Sequence, residues 1–216
     1  MINNNDIVLF QGDSITDCGR SKEITAPNNF EALGNGYAKN ISYDLLTRYA
    51  DLNLKCYNKG ISGNKITDVT ARWNRDAINL KPNIISILIG VNDTWHGKNH
   101  NDGVSVERYA QYYKMLLNFT MQELPDVKLV LCEPFVLLSD LEKWAVSEDW
   151  VPEVEARSQI VQQLAKEFNA KFVPFQKVLN EALEKATADY WLADGVHPTH
   201  TGHKLMADAW TKYTGI

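Results

Sequence analysis

The chain alternates short apolar runs with longer segments in which apolar residues recur every three or four positions. Five runs, DIVLFQ (6–11), LNLKCYN (52–58), NIISILIG (83–90), VKLVLCE (127–133) and AKFVPF (170–175), predict β-strands. Within the third, IISILI is apolar at nearly every position, so both faces of that strand need cover, as in a parallel sheet between two layers of helices. Helical periodicity runs through about 37–50, 66–80, 104–123, 151–169, 175–186 and 199–213. Such alternation predicts an α/β fold, an open parallel five-stranded sheet with helices on both faces. Right-handed crossovers favour the flavodoxin-like strand order 2-1-3-4-5. No internal repeat, low-complexity tract or Pro/Gly-rich linker interrupts residues 1–216, and the length suits one well-filled core, so a single domain is expected.

Charge narrows the classes of partner. A net charge of -5 and a pI near 5.5 offer no general attraction to nucleic acid or to an anionic membrane, and neither is expected as a partner. The opening MINNNDIVLF has no basic region, and its apolar run is too short for a signal peptide or a membrane span, which makes the cytoplasm the expected compartment. Cys18, Cys56 and Cys132 lie far apart without a CxxC pair and read as three free thiols. The sequons at Asn40, Asn92 and Asn118 matter only on a secreted chain.

The sheet order makes a spatial prediction. Loops after the carboxyl ends of parallel strands share one edge, where ligands bind. The loops after the first three strands are GDSITDCG, KGISGNK and GVNDTWHG, the least ordinary stretches of the chain. Attack on an ester carbonyl needs a nucleophile, a base, a group that orients the base, and donors for the developing oxyanion. Ser14 follows a glycine at a strand-to-helix turn, where its hydroxyl could project and its backbone N–H could act as a donor. Gly63 offers an unobstructed N–H, and Asn92 an uncharged amide. The base would come from DGVHPTHTGH: Asp194 and His197 are close in sequence, and Pro198 keeps His197 out of helical geometry, on a loop where the carboxylate can reach the imidazole.

GDSIT, NKGISGN, GVND and DGVHP, in that order along nearly the whole chain, resemble the four sequence blocks of the SGNH (GDSL) hydrolase superfamily. The resemblance implies a flavodoxin-like sheet, Ser14 as nucleophile, Asp194 and His197 completing a triad, and an oxyanion hole from Ser14, Gly63 and Asn92. The longer strings GDSITDCGR, NKGISGN and ARWNRD look like intracellular acetylxylan esterases and other carbohydrate acetylesterases of that superfamily. That likeness implies a serine esterase that releases acetyl groups from small acetylated saccharides such as xylo-oligosaccharides, with no cofactor and no metal. Other chemistry on the same site would be a short-chain carboxylesterase, a thioesterase or a lysophospholipase; a rival of another class is a non-enzymatic flavodoxin-like binding module.

Each residue also has a plainer reading. Ser14 could cap the helix that follows it, Gly63 could serve a turn, and Asn92 could close an Asx-turn. GISGNKIT fails the phosphate-loop spacing, because Asn64 separates Gly63 from Lys65 and Ile66 separates Lys65 from Thr67. His197, His200 and His203 drift around a helix by about 60° per step and converge poorly on a metal; His203 reads as structural and His200 as exposed. Cys18, near Ser14, would need a base of its own. Trp95 and Trp191 could border the cleft and stack on sugar rings, or belong to a core or a subunit contact. The segment DLEKWAVSEDW (140–150) is long for a connection and reads as a rim or a contact in a homo-oligomer.

Overall fold

The five apolar runs become five strands in the computed structural model, which describes residues 2–139, 141 and 145–216. They are β1 (Ile7–Gly12), β2 (Lys55–Asn58), β3 (Ile84–Leu88), β4 (Lys128–Cys132) and β5 (Lys171–Val173), all parallel in the order β2-β1-β3-β4-β5. The order is the expected one. Strands β2 and β5 are shorter than the apolar runs suggest, since β2 pairs only from the Ile7–Lys55 register and β5 only as far as the Cys132–Val173 register.

The helices are α1 (Ser14–Asp17), α2 (Tyr37–Arg48), α3 (Ile66–Ala71), α4 (Trp73–Asp76), α5 (Val91–His100), α6 (Val106–Glu123), α7 (Val151–Glu167), α8 (Phe175–Ala182), α9 (Ala188–Trp191) and α10 (His200–Thr214). Three differ from expectation, and α9 is one of them, lying between the helical segments 175–186 and 199–213. The segment 66–80 is not one helix but α3, α4 and a 3-10 turn at Ile78–Leu80, with breaks at Arg72 and Ala77. The loop expected at GVNDTWHG is the start of α5, whose first four residues are all buried. Consecutive burial erases the 3.6-residue alternation by which a helix is recognised.

Side chains alternate across the sheet as the strand period requires. Val8 and Phe10, Ile84 and Leu88, Val130 and Cys132 pack beneath α2 and α10, with Tyr37, Ile41, Met206 and Trp210. Leu9, Ile85, Ile87, Leu129 and Leu131 pack on the other face with Val69, Tyr113, Leu117 and Val161 of α3, α6 and α7. Ser86 is the polar exception in β3. It is fully buried, and its hydroxyl accepts the Trp210 indole N–H at 3.0 Å. Ser86→Ala should leave that N–H without an acceptor and cost about 1–3 kcal/mol. Urea denaturation measures it, and an unchanged midpoint would mean that the bond adds nothing. No helix among the described residues is long and apolar enough to cross a membrane.

Candidate active site

At the end of β1 the chain enters α1 almost without a loop. A Cβ on Gly12 would lie 2.3 Å from both the Leu88 carbonyl oxygen and Thr16 Oγ1, so only glycine allows so sharp a passage beside β3. The cap of α1 is Asp13, not Ser14: the Asp13 carboxyl accepts the Ile15 N–H at 3.0 Å, and Ser14 is the first helical residue. Ser14 is thereby released from capping, with its hydroxyl directed elsewhere.

That hydroxyl lies 2.8 Å from His197 Nε2, and His197 Nδ1 lies 2.7 Å from Asp194 Oδ2. An ionised carboxylate can only accept, so Nδ1 carries the imidazole proton, Nε2 presents its lone pair, and the Ser14 O–H donates to it. The Asp194 loop is itself braced, since Oδ1 accepts the backbone N–H groups of Val196 and His197 at 3.0 and 2.8 Å. The hydrogen bond that His197 donates to Asp194 raises the His197 pKa above its ordinary value, against burial, which lowers it. Burial works to raise Asp194, but the bonds from the His197 ring and from the backbone outweigh it and hold the carboxyl below the usual range. A hydroxyl, a neutral imidazole and a carboxylate in this chain can transfer a proton away from oxygen as the oxygen attacks.

The loops after β2 and β3 meet the same edge. Ile61 N–H donates to the Gly12 carbonyl at 3.1 Å, which lays the loop 59–64 against the end of β1. Gly63 has φ +81, so the turn itself demands glycine; added side-chain bulk would meet little, the nearest atom being His96 Nε2 at 4.0 Å. Asn92 is buried on α5 and spends one amide proton on the Asn64 carbonyl at 3.2 Å, keeping a second. Among the described residues, neither the Ser14 N–H nor the Gly63 N–H has an acceptor. Asp93 fastens the start of α5 to α3 by accepting the Ile66 N–H on both oxygens, at 3.2 and 3.3 Å. Burial pushes both Asp13 and Asp93 up to about 7. Neither residue was legible as part of the site; the signal was an acidic residue at a position the fold encloses.

The remaining candidates separate. Trp95 on α5 is tilted beside His197, with ring centroids 5.7 Å apart, and it also meets Trp150 edge-on at 5.3 Å. Trp191 instead donates its indole N–H to the Ala182 carbonyl and packs edge-on with Tyr190, tying it to the end of α8. Of the segment 140–150, Ala145 donates to the Asp194 carbonyl, and Trp150 backs Trp95, so its described part borders the site. Asp140 and 142–144 lie outside the described residues.

His203 is buried and His200 exposed. Cys18 Sγ sits 3.3 Å from His203 Nε2, a neighbour that sequence reasoning did not foresee. It does not make Cys18 a nucleophile. The Tyr37 N–H donates to His203 Nδ1 at 3.1 Å, so the neutral ring keeps its proton on Nε2 and has no lone pair to offer the thiol. Burial takes His203 down to about 4 and pushes Cys18 up. Among the described residues no group of three His, Cys, Asp or Glu side chains is arranged to hold a metal ion.

A model of the GDSL-like lipase/acylhydrolase family matches residues 10–205. An acetylxylan esterase from Geobacillus stearothermophilus is 33% identical over 219 residues, covering 100% of this chain and 96% of that protein. A crystal structure from Parabacteroides merdae, of a protein named for its likeness to GDSL lipases, is 41% identical with a TM-score of 0.95 over 100% of this chain and 98% of its own. Catalytic variants of the Geobacillus esterase, with one serine, one histidine or one aspartate replaced, are each 32% identical to this chain, with TM-scores of 0.88 over 100% of this chain and 96% of theirs.

Proposed function

Because the chain belongs to the GDSL-like lipase/acylhydrolase family and is a carboxylic ester hydrolase, we propose that it is a serine esterase that removes O-acetyl groups from small carbohydrates. Acetylated xylo-oligosaccharides are the proposed substrates. The observation that carries the serine mechanism is the unbroken chain Ser14 Oγ, His197, Asp194, with contacts of 2.8 and 2.7 Å. Support for the substrate comes from the acetylxylan esterase that shares the whole length of this chain, and from Trp95, an aromatic face next to His197 on which a sugar ring can stack.

In the proposed cycle Ser14 attacks the acetyl carbonyl while His197 takes its proton. The resulting oxyanion is held by the N–H groups of Ser14 and Gly63 and by the second amide proton of Asn92. His197, now an imidazolium stabilised by Asp194, gives its proton to the departing sugar oxygen. A water molecule then attacks the acetyl-serine carbonyl, His197 accepts its proton, and acetate leaves as that proton returns to Ser14.

A panel of acetylated xylo-oligosaccharides and of aryl esters of increasing acyl length tests the substrate. Preference for acetyl on a saccharide is expected; preference for acyl chains of about eight carbons or more would replace this reading with a lipase or thioesterase. Asn92→Ala should lower kcat by roughly 10²–10³ with a much smaller change in KM, since the amide would be needed mainly after the carbonyl has become an oxyanion. An effect confined to KM would assign Asn92 to substrate binding alone.

A further inference from the structure

Arg72, in the stretch ARWNRD, takes no part in the cycle above, yet it is buried at the junction of the segments that carry all three proposed oxyanion donors. Its guanidinium reaches five acceptors. Nη2 donates to the Gly12 carbonyl at 3.2 Å, two residues before Ser14. Nη1 donates to the Lys59 carbonyl at 2.8 Å and to Gln11 Oε1 at 2.9 Å, and faces Asp76 Oδ2 at 3.2 Å. Nε donates to Asn64 Oδ1 at 2.7 Å. Asn64 follows Gly63, and its carbonyl is the acceptor that holds Asn92. The anchor is fixed from behind as well: Gln11 Nε2 donates to the Asp76 carbonyl, and Arg75 binds both oxygens of Asp76.

We propose that Arg72 is the positioning residue of the oxyanion hole: its planar fork sets the end of β1 and the loop 59–64 in one register, and through Asn64 it sets Asn92 too. A lysine in its place keeps the charge but has a single nitrogen, which cannot span acceptors on both sides of the junction. The proposal rests on the serine-esterase reading and adds to it a residue that touches no substrate.

The test is a double-mutant cycle on hydrolysis of a small acetyl ester, which makes few contacts beyond the reacting centre. Arg72→Lys should lower kcat roughly 10- to 100-fold while KM changes less than about threefold. In an Asn92→Ala background the same substitution should cost clearly less than in the wild type, because one of the three donors that Arg72 aligns is already gone. Asn64→Ala, which removes the acceptor of Arg72 Nε but keeps the carbonyl that holds Asn92, should show the same non-additivity, and it carries the test if Arg72→Lys does not fold. Equal losses of kcat in both backgrounds, or lowered stability with unchanged kcat, would overturn the proposal. Those results would leave the serine mechanism standing, whereas full activity in Ser14→Ala would remove the mechanism itself.

Discussion

Ser14→Ala is expected to lower kcat by about 10⁴–10⁶, with the fold and the affinity for substrate nearly unchanged. The expectation follows from what the hydroxyl does in the folded chain. Asp13 already caps α1, so Ser14 has no structural duty that alanine would fail, and alanine is itself a good helix former. Among the described residues the hydroxyl makes one hydrogen bond, to His197, and that ring remains held by Asp194. Circular dichroism and thermal unfolding should therefore match wild type while turnover vanishes. An organophosphonate should label wild type at Ser14 and leave the variant unlabelled. Retention of more than a few per cent of activity by pure Ser14→Ala would mean that a group other than Ser14 attacks the ester. The proximity of Cys18 to His203 makes a rival nucleophile worth measuring, and Cys18→Ser in the same assay should remain active, because His203 has no lone pair to give it.

The strands were the most legible part of the fold. Residues such as Ile84, Ile85, Ile87 and Leu88 are buried on both sides of the sheet, and an apolar run is the direct sequence trace of that burial. Right-handed crossovers, which depend on the alternation of elements and not on side chains, narrowed the open α/β orders, with 2-1-3-4-5 as the first choice among them. The helix α5 was lost for the reason that makes it part of the site: Val91, Asn92, Asp93 and Thr94 are buried in succession, and polar residues enclosed by neighbouring loops look, in sequence, like a solvated turn. The break at Arg72 was lost too. Local propensity favours helix through ARWNRD, whereas the guanidinium bonds to β1 and to the loop 59–64 are tertiary contacts with no local signature.

The site divides along the same line. Ser14, Asp194 and His197 could be named because a reaction needs those residue types, and the topology brings the loop before α10 to the sheet edge that bears Ser14. The roles of Asp13 and Asp17 were not readable. Asp13 takes the cap position that Ser14 was a candidate for, and Asp17 uses one oxygen to accept the Ser62 N–H and hydroxyl, both at 2.9 Å, next to Gly63. Such supports are set by which loops meet, and sequence spacing does not contain that. Trp191, which its place near Asp194 in the chain left open as a cleft or core residue, has an indole N–H bonded to the Ala182 carbonyl at the end of α8, a tertiary contact with no local signature.

Asp194→Asn should reduce kcat by about 10⁴ and also move the acid limb of the pH profile, and the two effects together separate orientation from charge. In the folded chain the carboxylate accepts the Nδ1 proton and so keeps the Nε2 lone pair aimed at Ser14. An amide can turn its N–H₂ toward Nδ1, which moves the ring proton to Nε2 and removes the base from the serine. The carboxylate also supplies the hydrogen bond and the attraction that lift His197 above its ordinary value, while burial opposes them. The wild-type acid limb of kcat/KM, which reports the free imidazole, should therefore lie above about 6.5, and in Asp194→Asn it should fall to lower pH because burial is then less opposed. Stability carries the matching sign. The raised His197 contributes fully below its unfolded value and loses that contribution as pH rises through the folded one; the lowered Asp194 contributes above its unfolded value and loses it as pH falls. Both contributions are present together at about pH 5.5, so Asp194→Asn should destabilise more there than at about pH 8. An acid limb that stays in place, or a stability loss that is equal at both values, would mean that Asp194 orients the ring without stabilising its charge.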